Sequence, residues 1–153
     1  MPPLKFSPEE RQRLRMDVCY FTERILRTPE GTPFVPHAAQ KEFMECEAEI
    51  KVGCFGRQSG KSMAVTAILL HDALFRHGSN QLVVSGTYKN ASIIFEMMNM
   101  ILKKSPIAYD QVERVVRTPY PQIAFRNGSH IKFLTVGTGS DNWHIRGETA
   151  HRI

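Results

Sequence analysis

The chain has 153 residues, the size of one ordinary domain and enough to bury roughly 70% of its unfolded surface. Apolar residues at 42% and charged residues at 23% exclude a disordered segment, and no run reaches the roughly 20 uncharged apolar residues that cross a bilayer, since Met63 to Phe75 is interrupted by His71 and Asp72. The net charge of +5, from 20 Lys and Arg against 15 Asp and Glu, permits contact with a polyanion without demonstrating it, because the basic residues are scattered.

Met1-Pro2-Pro3-Leu4-Lys5 leads into charged residues rather than an apolar signal core, so secretion is not expected. Ser7-Pro8-Glu9-Glu10 then has the form of a helix start, with Ser7 as N-cap, Pro8 in the first turn and Glu10 closing a capping box. The predicted helix runs to about Leu26 and places Leu14, Val18, Phe21 and Ile25 on one face. Thr28 to Pro33 is turn-rich and ends it, and a shorter helix after Pro36 carries Gln40, Phe43 and Met44.

Ile50 to Phe55 has the character of a short buried strand running into Gly56-Arg57-Gln58-Ser59-Gly60-Lys61-Ser62. From Gly60 to about Arg76 the chain is rich in alanine and leucine and should be helical, closed by His77-Gly78-Ser79-Asn80. Leu82 to Ser85 predicts a second buried strand, and Ile93, Phe95, Met97, Ile101 and Leu102 mark the helix after it. Strand, helix, strand, helix is the pattern of a parallel sheet covered on both faces. Val112 to Arg117, Gln122 to Phe125 and His130 to Thr135 are short alternating segments, and Asn127-Gly128 between the last two signals a hairpin, so a small antiparallel excursion is expected. Gly137 to Asn142 has the composition of a flexible loop.

The segment that carries chemistry is Gly56 to Ser62. A polyphosphate needs closely spaced backbone N–H donors, a lysine for the β and γ oxygens and a hydroxyl for magnesium, presented where a strand turns into a helix. Gly60-Lys61-Ser62 supplies these in order: Gly56 and Gly60 admit the phosphates, Lys61 neutralises them, and Ser62 is a Mg²⁺ ligand. The expected ligand is ATP. The pattern departs from G-x-x-x-x-G-K-[ST] in one respect, because Phe55 stands where the first glycine belongs. A lysine-bearing surface turn is the competing interpretation, and the apolar run before the loop and the helix after it favour the phosphate loop.

With the loop and its neighbours in hand, the sequence resembles the ATPase domain of the large terminase subunit of tailed bacteriophages, from about Pro36 to the last residue. Phosphate loops of that family often carry an arginine three residues before the final glycine, which here is Arg57. Pro36-His37-Ala38-Ala39-Gln40-Lys41-Glu42-Phe43 is similar to the family's adenine-contacting segment, which makes Gln40 the implied base reader; outside the family a solvated helix glutamine would be the simpler assignment. Val83 to Ala91 looks like the family's second strand-to-helix junction, whose polar residues could equally be a helix cap. Phe125 to Phe133 and Ile145-Arg146-Gly147 are similar to its hairpin and to the Arg-Gly signature ahead of Walker B, and Arg146 is the implied finger toward a neighbouring subunit's ATP, or else an arginine ordering its own loop.

The resemblance implies an α/β fold of the P-loop NTPase type, a parallel sheet flanked by helices, incomplete, with a small antiparallel hairpin excursion. Residues 1–35 would form an N-terminal helical segment and residues 36–153 the front of the ATPase domain, stopping before the Walker B acids. It implies ATP and Mg²⁺ as cofactors, catalytic roles for Lys61, Arg57 and Arg146, and nucleotide contacts from Gln40, Gly56, Arg57, Gln58, Ser59, Gly60, Lys61 and Ser62. Double-stranded DNA, a portal protein and a small terminase subunit are the implied partners of a homo-oligomeric ring in the host bacterial cytoplasm, with no membrane. The 153-residue chain is expected to be a fragment or truncated reading frame that binds nucleotide weakly and does not turn it over. A helicase of related sheet topology and a nucleotide-binding remnant are the alternatives.

Six histidines, His37, His71, His77, His130, His144 and His151, show no metal-ligand pattern. Cys19, Cys46 and Cys54 lack metal spacing and leave an odd thiol under any pairing, which fits a reducing compartment, and all three are expected to be buried or half-buried. Packing is the expected role of Trp143 and of the cluster Met97, Met98 and Met100.

Overall fold

The structure is a computed structural model and describes residues 6–136. Its first helix, α1 (Pro8–Met16), begins as the sequence predicts: Ser7 Oγ accepts from Glu10 N–H at 3.2 Å, and Glu10 Oε2 accepts from Ser7 N–H at 3.0 Å. The helix does not continue to Leu26. Asp17 is extended, at φ −122° and ψ 101°, and its N–H closes α1 on Arg13 O at 2.9 Å. Its side chain accepts from Tyr20 N–H at 2.7 Å and so starts α2 (Val18–Arg24). A short acidic side chain offers the backbone an alternative to helix, and here the alternative wins. The apolar face survives the break, because Leu14, Phe21 and Ile25 all enter the main core cluster and Val18 packs against it.

The Thr28 to Pro33 turn is closed by a bridge between Arg27 and Pro33, and α3 (Ala38–Glu45) follows. The strand expected over Ile50 to Phe55 does not form. Residues 51–56 belong to no sheet, and Ile50 and Val52 are 81% and 90% exposed. The segment lies instead against α3: Phe55 packs edge-on to Phe43 with ring centroids 5.4 Å apart, and Lys51 Nζ donates to the last carbonyls of that helix, Phe43 O at 3.4 Å and Met44 O at 3.3 Å. A strand is stabilised by neighbours on its edges, and no described strand lies alongside this one.

Helix α4 (Lys61–Phe75) buries Ala64, Ala67, Leu70 and Ala73 in the core cluster and gives way to Gly78 at φ +63°, a left-handed turn that glycine enters without strain. Strand β1 (Asn80–Ser85) follows. Thr87 Oγ1 then accepts from Asn90 N–H at 3.2 Å and caps α5 (Tyr88–Lys104), which leads through α6 (Pro106–Tyr109) to β2 (Val112–Val116), β3 (Gln122–Phe125) and β4 (His130–Thr135). The β3–β4 hairpin turns at Asn127-Gly128 as its sequence predicts, with Gly128 at φ +81° and its N–H bonded to Phe125 O at 3.0 Å.

The four strands lie in the order β1-β4-β3-β2. The β1–β4 pair is parallel, from Asn80 opposite His130 to Ser85 opposite Thr135, and the pairs β4–β3 and β3–β2 are antiparallel. The expected antiparallel excursion joins the parallel pair: its last strand lies between β1 and β3, making one mixed sheet. Ile123, paired with Ile131, shares a face with Phe125 and Phe133 in the core cluster, where Phe95 of α5 meets Phe133 edge-on at 5.3 Å. Val83, opposite Phe133, packs against the same cluster. Helix α4 is locked to the sheet at its far end, where Asn127 Nδ2 donates to Ala73 O at 2.8 Å and Leu74 O at 3.3 Å. Of the methionines, Met98 is fully buried and Met97 half-buried, whereas Met100 is exposed.

Candidate functional site

The turn over residues 57–60 connects the extended segment to α4. Two of its residues have left-handed backbones, Gln58 at φ +60° and Gly60 at φ +72°, and Ser59 Oγ braces the turn by donating to Gly56 O at 2.8 Å. Gly60 is the N-cap of α4, and its carbonyl accepts Ala64 N–H at 3.1 Å. No side chain caps this helix start. The N–H groups of the first turn therefore lack intrahelical partners and carry the positive end of a helix of 15 residues, which is the arrangement that favours an anion. Lys61 and Ser62, the first two helical residues, are exposed there, as are Gly56, Arg57 and Gln58, while Ser59 and Gly60 are half-buried.

The loop is held from α3. Gln40 is only 4% exposed, which removes the solvated-glutamine assignment. Its Nε2 donates to Gly60 O at 3.0 Å and its Oε1 accepts from His37 N–H at 3.0 Å. His37 adds a second link, with Nε2 donating to Ser59 O at 2.9 Å. The sequence did not single out His37 for a site; the available signal was its place three residues before Gln40 at a helix start, where a glutamine reaches back to the N-cap amide. A primary amide has two donors and two acceptor lone pairs, so Gln40 keeps one of each beyond these bonds.

The described residues thus bring Gln40, Gly56, Arg57, Gln58, Ser59, Gly60, Lys61 and Ser62 into one neighbourhood. Arg146 lies outside the described residues, as do Trp143, His144 and His151. Among the described residues no group of three or more His, Cys, Asp or Glu could hold a metal. That is compatible with magnesium, which keeps several waters and is held by one or two protein oxygens together with substrate phosphates. Clefts of about 560 and 590 Å³ lie elsewhere, one lined by Met16, Met44 and His71, the other by Phe6, Leu14 and Leu74. The loop borders neither, and a backbone donor array with a cation beside it can act at an open surface.

The thiols depart in part from expectation. Cys19 is buried, and burial, helped by the neighbouring Glu45 carboxylate, pushes its thiol up to about 12. Cys46, the C-cap residue of α3, and Cys54, in the extended segment outside the sheet, are exposed. No helix among the described residues is long and apolar enough to cross a membrane.

Comparison with known proteins adds an independent line. The terminase large subunit of Thermus virus P23-45 is 32% identical over 85 residues, covering 53% of this chain and 18% of that protein. The corresponding protein of Thermus phage G20c is 37% identical over 62 residues, covering 40% of this chain and 13% of that one. Among solved structures, the HK97 bacteriophage large terminase superposes with a TM-score of 0.69 at 18% identity, over 90% of this chain and 28% of that chain. The large terminase ATPase domain of Thermus phage P74-26 superposes with a TM-score of 0.61 at 22% identity, over 76% and 51%. At these identities the structures establish the shared fold, an α/β domain. The chain spans less than a fifth of the length of the curated relatives it matches. Residues 52–151 match the family described as terminase large subunit, T4likevirus-type, N-terminal, and since that is more than half of the chain, the chain belongs to this family.

Proposed function

We propose that residues Gly56 to Ser62 bind the triphosphate of ATP with Mg²⁺, as the nucleotide-binding part of a viral motor that couples ATP hydrolysis to movement of double-stranded DNA into a capsid. The observation that carries this reading is the Gly60-Lys61-Ser62 helix start, entered through a left-handed glycine and free of any side-chain cap. The first-turn amides of α4 would donate to phosphate oxygens, and the Lys61 ammonium would neutralise the β and γ groups. The Ser62 hydroxyl oxygen would hold magnesium, which when bound offsets charge on the same oxygens. Arg57 and Arg146 are the guanidinium candidates for the γ-phosphate, Arg146 from a neighbouring subunit. Gln40 retains one donor and one acceptor with which to meet an adenine edge. By family membership, the assembled protein would work as a homo-oligomeric ring with a portal protein and a small terminase subunit in the host cytoplasm.

The test is equilibrium binding of Mg-ATP to the wild-type chain and to Lys61→Ala. Removing a charged hydrogen-bond donor should weaken binding roughly tenfold to a hundredfold. Equal and negligible binding by both proteins would defeat the reading.

A further inference from the structure

The N-terminus of α3 grips the loop in a manner that reading a base does not require. His37 Nε2 and Gln40 Nε2 donate to successive carbonyls, Ser59 O at 2.9 Å and Gly60 O at 3.0 Å, and the Gln40 amide is itself fixed by His37 N–H at 3.0 Å. These carbonyls belong to the peptide units between Ser59 and Lys61, beside the left-handed residues Gln58 and Gly60. In a trans peptide the C=O and the following N–H point in opposite directions. Drawing Ser59 O toward α3 therefore aims the N–H of Gly60 away from it, and the Gln40 bond joins the helical bond from Ala64 N–H in holding Gly60 O, with the Lys61 N–H on the opposite side of that peptide. Those are two of the donors that a phosphate tail would need.

We propose that His37 is a positioning residue which, with Gln40, holds the peptide planes of the phosphate loop in their binding orientation, so that α3 serves the phosphate end of the nucleotide as well as its base. This rests on the phosphate-loop reading above and extends it. A ligand binds with an apparent affinity scaled by the fraction of protein already in the competent state, and the two side-chain bonds raise that fraction. Because the grip acts on the loop, its loss weakens every ligand carrying a triphosphate tail. A contact with adenine alone would weaken ATP and leave the others unchanged.

The experiment measures binding of ATP, GTP and inorganic tripolyphosphate, each with magnesium, by titration calorimetry on the full chain. His37→Phe keeps a flat ring and removes the donor. His37→Gln returns an amide N–H near the place of Nε2. Gln40→Ala removes the second link. The expected result is that His37→Phe weakens all three ligands by a similar factor, roughly three- to tenfold for one lost neutral hydrogen bond. His37→Gln recovers most of that loss, and Gln40→Ala weakens tripolyphosphate as well as ATP. Wild-type affinity for tripolyphosphate in His37→Phe, a loss confined to ATP in both variants, or no recovery in His37→Gln would each overturn the inference while leaving the phosphate loop intact. A wild-type chain that binds none of the three ligands would instead remove the phosphate loop, and the inference with it.

Discussion

Replacing Gly60 by alanine asks whether the loop has the backbone described above. At φ +72° an L-residue costs roughly 1–2 kcal/mol relative to glycine. The added Cβ would also run into the Gln40 side-chain amide, so Gln40 must withdraw and its bond to Gly60 O is lost. That loss adds roughly 0.5–1.5 kcal/mol. The sum, roughly 1.5–3.5 kcal/mol, can be relieved by letting the loop leave its binding conformation, because the loop is at the surface and α4 is anchored elsewhere. Most of the cost should then appear in ligand binding: Mg-ATP affinity falls roughly tenfold to several hundredfold, while Tm drops by only a few degrees. Calorimetric titration and thermal unfolding followed by circular dichroism measure the two effects separately. Gly56→Ala is the internal control for the fold, since nothing lies within 4 Å of its added Cβ. Its Tm should match the wild type. If Gly60→Ala kept wild-type affinity and wild-type Tm, the left-handed turn and the approach of Gln40 would both be wrong.

Two further outcomes follow from the packing. Asn127→Ala removes the donor that closes the C-terminal carbonyls of α4 and the acceptor for Ser129 N–H at 3.0 Å, costing roughly 1–3 kcal/mol and lowering Tm by about 3–10 °C; Asn127→Asp, which keeps only the acceptor, should not restore it. In a thiol titration at about pH 8, the exposed Cys46 and Cys54 should react in the native chain and Cys19 only in denaturant, because burial holds its thiol near 12 and leaves almost no thiolate below that pH. Reaction of all three thiols without denaturant would show that α2 does not bury Cys19.

Local signals were legible wherever a short stretch of chain carries its own hydrogen-bond logic. Ser7 with Glu10 starts α1 because both partners lie within one turn, and Asn127-Gly128 makes a hairpin because glycine takes the left-handed position without steric cost. Gly60-Lys61-Ser62 was recognisable on the same ground, since the helix that follows begins within the motif itself. The break at Asp17 was also encoded locally, in an acidic side chain able to cap, but the apolar periodicity ran through it and concealed it.

What required the tertiary structure was every property set by partners distant in sequence. The amino acids of Ile50 to Phe55 have the composition of a strand, yet β-structure is stabilised across its edges, and Phe43 and the end of α3 hold this segment instead. Whether β4 would pair with β3 alone or also beside β1 could not be decided from alternation, which specifies a face and not a neighbour. The burial of Gln40 and the turn of His37 toward Ser59 likewise depend on α3 meeting a loop about 20 residues further along. Sequence by itself determined where the backbone could turn, cap and present a cation, because those are short-range steric and hydrogen-bonding preferences. Only the folded chain decided which carbonyls the side chains hold, because a hydrogen bond has no preferred partner until packing brings one within 3 Å or so.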